Sequence, residues 1–115
     1  MRVEGYSFGR IRINGKEYTN DVIVSQDRVI NSKWWRREGH NVYPEDIKEI
    51  LSEKPEIVVF GCGAAGAMKV NKAVLDVLSK MGIEVIQQLT NQAVETFNRL
   101  VSKGKRVVLA AHLTC

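Results

Sequence analysis

The glycine-rich turn Gly61-Cys62-Gly63-Ala64-Ala65-Gly66 stands directly after the apolar run Ile57-Val58-Val59-Phe60. Glycines at the exit of a buried strand let backbone N–H groups approach an anionic or polar ligand with no Cβ in the way. Gly61 and Gly63 are therefore the first candidates for a ligand-binding site. Thr90 and Asn91 join them, because consecutive parallel strands end on one edge of a sheet, where α/β folds place their ligands. Arg36 supplies a cation, and His40, following Gly39, is suited to help it hold an anion. The chemistry these residue types share is recognition of a small anion or polar group.

The G-x-G-x-x-G spacing is also that of a dinucleotide fingerprint. That motif needs a helix starting inside the loop and an acidic residue closing the second strand. Met68-Lys69-Val70 intervene before the helix cap at Asn71, and the second strand ends in Gln87-Gln88, so both supports are missing. No G-x-x-x-x-G-K-[ST] pattern occurs, which excludes a nucleotide P-loop. A tight strand exit with close backbone packing is the competing structural reading of the same glycines. Cys62 between them is either a thiolate activated by neighbouring N–H groups or a small buried hydrophobe. His40 and His112 lack the spacing of a metal pair and have no cysteine pair nearby, so neither a metal nor a cofactor is expected. No nucleophile with its base and no paired carboxylates can be assembled from local motifs, which weighs against an enzyme.

Trp34-Trp35-Arg36-Arg37 is the other unusual cluster. Adjacent residues of an extended segment point to opposite faces, so one tryptophan is expected in the core and the other at a pocket wall or an interface.

The elements that position these residues fall into two parts. From residue 6 to about 42 the chain reads as short antiparallel strands in a meander. Phe8-Gly9-Arg10-Ile11-Arg12-Ile13 alternates apolar and basic, Asn14-Gly15 is a strong hairpin signal, and Glu17-Tyr18-Thr19 returns. Val22-Ile23-Val24 then turns at Ser25-Gln26-Asp27 into Arg28-Val29-Ile30. From Pro44 onward striped helices alternate with uncharged apolar strands, the pattern of a largely parallel sheet covered on both faces. Pro44 opens the first helix, with Ile47, Ile50 and Leu51 on one side; Asn71 precedes the second, striped by Ala73, Val74, Val77, Leu78 and Met81; Thr90 or Asn91 precedes the third, striped by Ala93, Val94, Phe97, Leu100 and Val101. Gly82 and Gly104 stand where left-handed residues end helices, immediately before the strands Ile83-Glu84-Val85-Ile86 and Arg106-Val107-Val108-Leu109-Ala110-Ala111. The expected fold is a three-layer α/β domain spanning residues 1–115, with an added antiparallel hairpin unit at its periphery.

Composition bounds the class. The 115 residues are 44% hydrophobic and 26% charged, with no linker or low-complexity tract, as in one globular domain. Seventeen basic against thirteen acidic side chains give a charge of +4 that is dispersed along the chain, whereas nucleic-acid binding demands a concentrated stripe. Two cysteines make no disulfide framework, the first residues lack the apolar core of a signal peptide, and no apolar run approaches a membrane span. A cytoplasmic location without membrane contact is the expectation.

Several segments together carry a family likeness. Trp35-Arg36-Arg37-Glu38-Gly39-His40, Val59-Phe60-Gly61-Cys62-Gly63, Ala67-Met68-Lys69-Val70, Gly82-Ile83-Glu84-Val85, Leu89-Thr90-Asn91-Gln92-Ala93-Val94-Glu95-Thr96-Phe97-Asn98 and His112-Leu113-Thr114-Cys115 occur in this order. In them the chain resembles the Mth938-domain (DUF498) family over nearly its whole length. The resemblance implies a compact three-layer fold with a mixed central sheet. It also encourages placing Arg36 and His40 at the glycine-turn edge, which no periodicity fixes. The family spans archaeal and bacterial proteins of unassigned biochemistry, a vertebrate member linked to adipogenesis and a mitochondrial one linked to complex I assembly; no shared catalytic activity comes with it. Two functions remain open. One is a non-catalytic module that binds a protein partner, a second copy of itself or a small anion at the glycine turn. The other is a small enzyme acting on a polar or anionic metabolite at the same turn.

Overall fold

The computed structural model describes residues 1–115. In chain order the elements are β1 (Val3–Ser7), β2 (Arg10–Ile13), β3 (Lys16–Tyr18), β4 (Val22–Ser25), β5 (Val29–Asn31), β6 (Asn41–Val42), a 3-10 turn (Pro44–Ile47), α1 (Lys48–Glu53), β7 (Ile57–Cys62), β8 (Lys69–Val70), α2 (Lys72–Lys80), β9 (Glu84–Gln88), α3 (Thr90–Ser102) and β10 (Val107–His112). The central sheet has the order β5-β4-β10-β7-β9. β10, β7 and β9 run parallel, joined through helices, while β4 lies antiparallel to β10 and β5 to β4, so the sheet is mixed.

β7 and β10 are buried along their full length, because both their faces are covered. The pleat sends alternate side chains to opposite sides. Ile57 and Val59 of β7 with Val107, Leu109 and Ala111 of β10 pack under Ala93, Val94 and Phe97 of α3. Val58, Phe60 and Cys62 with Val108 and Ala110 pack under Ile50 of α1 and Val74 and Leu78 of α2. An unbroken apolar run thus conceals a strict alternation between two cores.

The hairpin at Asn14-Gly15 forms as its sequence requires, with φ of 47° and 81° at the two turn residues. β1, β2 and β3 make a separate antiparallel sheet outside the central one. This sheet is nonetheless part of the core, since Val3, Ile11 and Ile13 are buried against the α3 side. At about 1.5–3 kcal/mol for each fully buried side chain, the hairpin contributes substantially to stability. β4 does not continue a meander with β1 to β3; it crosses over to pair with β10, because Val22, Ile23 and Val24 have apolar partners on both faces only there. β6 and β8, two residues each, pair in parallel and hold the segment after the glycine turn against residues 41–42.

Candidate functional site

The C-terminal ends of β7, β9 and β10 form one edge of the molecule, and His112, the last residue of β10, is its hub. Its ring is almost wholly buried. Nδ1 lies 2.8 Å from Asp21 Oδ2. A carboxylate only accepts, so Nδ1 carries a proton, and in the neutral ring Nε2 is the lone-pair nitrogen. Nε2 lies 3.4 Å from Thr114 Oγ1. Arg36 Nη2 donates to the same Asp21 oxygen at 2.6 Å and to Gly39 O at 2.8 Å, and stands 3.3 Å from His112 Nδ1. The other Asp21 oxygen accepts from Leu113 N at 2.8 Å. Burial pushes the Asp21 carboxyl up, but the hydrogen bonds from His112, Arg36 and Leu113 and the Arg36 charge outweigh it and hold the group below the usual carboxylate range.

The glycine turn closes on the same hub. A Cβ on Gly61 would stand 3.1 Å from Thr90 Oγ1 and 3.3 Å from its Cα, so this glycine lets the start of α3 lie directly on the sheet. Gly63 has φ of +100°, and a Cβ there would overlap the Cys115 carbonyl carbon at 2.3 Å and His112 Cδ2 at 2.9 Å. Thr90 is the first residue of α3 rather than its cap, which falls on Leu89. Its hydroxyl accepts from Gly63 N at 2.8 Å and donates to His112 O at 2.7 Å, tying all three strand ends together. The N–H groups of Ala64, Ala65 and Ala67 are occupied by the chain itself: Ala64 N donates to Thr114 O, and Ala65 N and Ala67 N both donate to Cys115 O. The tight-exit reading accounts for both glycines; an anion reaches these donors only by displacing residues 114–115.

Of the six residues singled out in the sequence, Gly61, Gly63, Thr90 and Arg36 converge on His112 as buried groups whose contacts are made mainly with one another and with the chain around them. His40 is exposed, with its ring edge-on to that of His112 at 5.4 Å. Asn91 points elsewhere, into a groove between α3 and β1 shared with Val3 and Asn98. Arg36 is turned inward, its guanidinium 4.4 Å from the centre of the Trp34 ring, and its Nη1 is buried with no partner. The two tryptophans divide as their adjacency requires. Trp34 is buried and donates from Nε1 to Asp46 O, whereas Trp35 is 78% exposed. Burial pushes the Cys62 thiol up against the opposing charge of Lys69, which favours a protonated, packed side chain over a thiolate.

Asp21 was not among those six and is the residue on which the cluster turns. Its signal in the sequence is slight: a lone acid immediately before the wholly apolar Val22-Ile23-Val24. Beside it opens a cleft of about 480 Å³ lined by Asn20, Asp21, Lys33, Trp35, His112 and Thr114 together with Thr19 and Trp34. A larger cleft, about 600 Å³, lies at the opposite edge among Glu56, Met81, Gly82 and Arg106. That one holds no buried polar cluster, and Glu56 and Arg106 pair with each other across 3.8 Å, so size does not mark the site.

An α/β domain whose glycine turn, helix start and last strand close on a buried Arg-Asp-His cluster defines the class. The chain belongs to the family described as protein of unknown function (DUF498/DUF598), which matches residues 3–112. It is similar in structure to PH1505 of Pyrococcus horikoshii, with 25% identity, a TM-score of 0.84 and full coverage of both chains. It is also similar to MT938, with 26% identity, a TM-score of 0.78 and coverage of 99% of this chain and 98% of the other. A Mth938-like domain from Bordetella pertussis shares the fold at 18% identity with a TM-score of 0.78, covering 97% of this chain and 85% of the other. No helix is long and apolar enough to cross a membrane.

Proposed function

We propose that this chain is a non-catalytic interaction module whose partner protein docks on the C-terminal edge of the parallel strands. One observation carries the reading: three of the four exposed large apolar side chains flank the segment of residues 112–115. Phe8 is next to Gly9, whose N–H donates to Leu113 O. Leu89 Cδ2 packs on Gly66 within the glycine turn that holds Cys115. Trp35 shares a cleft with His112 and Thr114. Exposed aromatic and aliphatic anchors around groups already satisfied within the chain are the composition of a docking surface rather than of a reaction centre. Met81, the fourth, lies at the opposite edge and serves as the control.

The experiment is quantitative affinity capture from the native host with the wild-type chain, Phe8→Glu with Leu89→Glu, and Met81→Glu. The reading expects a defined set of proteins held by wild type and Met81→Glu and lost from the double variant, with thermal melting unchanged. Identical capture by all three removes the assignment. A small anion is the second ligand class of this reading, at the glycine turn or beside it. Titration with phosphate and acetate followed by amide NMR tests it: saturating shifts at residues 63–67 support binding at the turn, and none there excludes it.

One observation favours a small enzyme instead. His112, fixed by Asp21, presents Nε2 towards the Thr114 hydroxyl, an order of groups that also serves nucleophile activation. Native mass spectrometry of freshly purified protein separates the two, since a module releases its ligand unaltered while an enzyme converts it.

A further inference from the structure

We propose that the cleft beside Asp21 and His112 is a binding site for a small planar anion that carries a hydroxyl or N–H group. The inference deepens the reading of this edge as a binding surface by naming the ligand class that its polar part would take. Three features of the cleft point the same way, and each fixes one property of the ligand.

Charge comes first. Asp21 and Arg36 neutralise each other. Lys33 then remains as the one cation of the cleft, exposed and in no ion pair, so the cleft carries one unmatched positive charge. On the other side of Trp35, Glu45 pairs with Arg37, while Glu49 and Asp46, which accept from Asn31 Nδ2 and Tyr43 N, keep their charge beside Lys48 and line a separate groove. An anion is the complement.

Shape comes second. The Trp35 ring is 78% exposed although it belongs to the residue type with most to gain from burial. It stands at the wall of a 480 Å³ cleft, a volume in the range of small-molecule sites. A flat indole face takes a flat ligand. Hydrogen-bonding capacity comes third. Asp21 fixes Nδ1 of His112 as a donor, so Nε2 is the acceptor of the neutral ring, and at 3.4 Å the Thr114 hydroxyl holds it only loosely. A ligand O–H or N–H group meets that acceptor, while the Asn20 amide and the Thr114 hydroxyl are available to its oxygens.

The test uses 4-hydroxybenzoate as probe, against 4-hydroxybenzamide for charge, cyclohexanecarboxylate for planarity and benzoate for the hydroxyl. Binding is read by amide and indole NMR shifts on the full chain. The proposal expects saturable shifts at the Trp35 indole and at the amides of Asp21, His112 and Thr114, and weaker binding of all three comparison compounds. Lys33→Met and Trp35→Leu change exposed side chains, so the fold survives them, and each weakens the probe about tenfold. Phe8→Glu with Leu89→Glu leaves probe binding unchanged, which keeps this site separable from the protein-docking reading. Absence of saturable shifts at millimolar 4-hydroxybenzoate, equal binding of the amide, or undiminished binding by both cleft variants overturns the proposal.

Discussion

Asp21 accepts from three donors that no other residue could bring together: the His112 ring, the Arg36 guanidinium and the Leu113 backbone. Removing it strands a buried arginine that already has one unpartnered nitrogen. Asp21→Ala is expected to cost about 3–5 kcal/mol in urea unfolding, the range for breaking a buried pair from one side; an unchanged midpoint contradicts the pairing. The pH dependence follows in sign. The folded carboxyl lies below its ordinary value, so its stabilisation is complete above the unfolded value of about 3.9 and is lost as the pH falls through the folded value. Asp21→Asn should therefore flatten the acid limb of the stability curve. At Gly63 the obstruction is steric: φ of +100° alone costs a side chain roughly 1–3 kcal/mol, and the Cys115 main chain stands where the Cβ would go. Gly63→Ala should destabilise by at least that amount and release the amides of Ala64, Ala65 and Ala67 to faster exchange. Little of this chemistry was legible. The sequence marks glycines, arginine and histidine by type, but whether a cation faces solvent or an internal carboxylate depends on a partner 15 positions away.

At the scale of elements, helices α2 and α3, strands β7 and β10, and the Asn14-Gly15 hairpin could be read directly, because stripe, apolar run and turn are local signals. Asn71 caps α2 through its side chain to Ala73 N, as its type suggests. What could not be read was pairing. β4 looks like the next strand of a hairpin meander and instead joins β10, about 85 residues on, and the two-residue strands β6 and β8 have too few side chains to show a period. The central position of β10 makes a sharp prediction. Val108→Asp puts an unpaired carboxylate at a site with no exposure, at a cost comparable with the roughly 5–15 kcal/mol stability of a domain, and should abolish soluble expression. Leu113→Ala, just beyond the strand end and 1% exposed, should cost about 2–5 kcal/mol while leaving the fold intact. Wild-type melting of either variant would refute the packing of this strand.

The whole molecule divides into two cores on either side of one sheet and two contrasting edges. At the N-terminal edge of the parallel strands, the loops carry charges that pair locally, such as Glu56 with Arg106. At the C-terminal edge Arg36 and Asp21 are drawn inward into one cluster, and the exposed residues include Phe8, Trp35, Leu89 and His40, with Lys33 as an unpaired cation. A net charge of +4 spread over the chain steers no particular partner, so under the docking proposal specificity would rest on that edge. Its use as the docking surface is the central claim. The most direct measurement is amide hydrogen exchange of the chain alone and in complex with the partner that it captures. The account predicts slowed exchange at residues 7–9, 64–67 and 88–91, around the 112–115 segment. Protection centred instead on residues 54–57, 81–84 and 105–106, at the opposite edge, would contradict it.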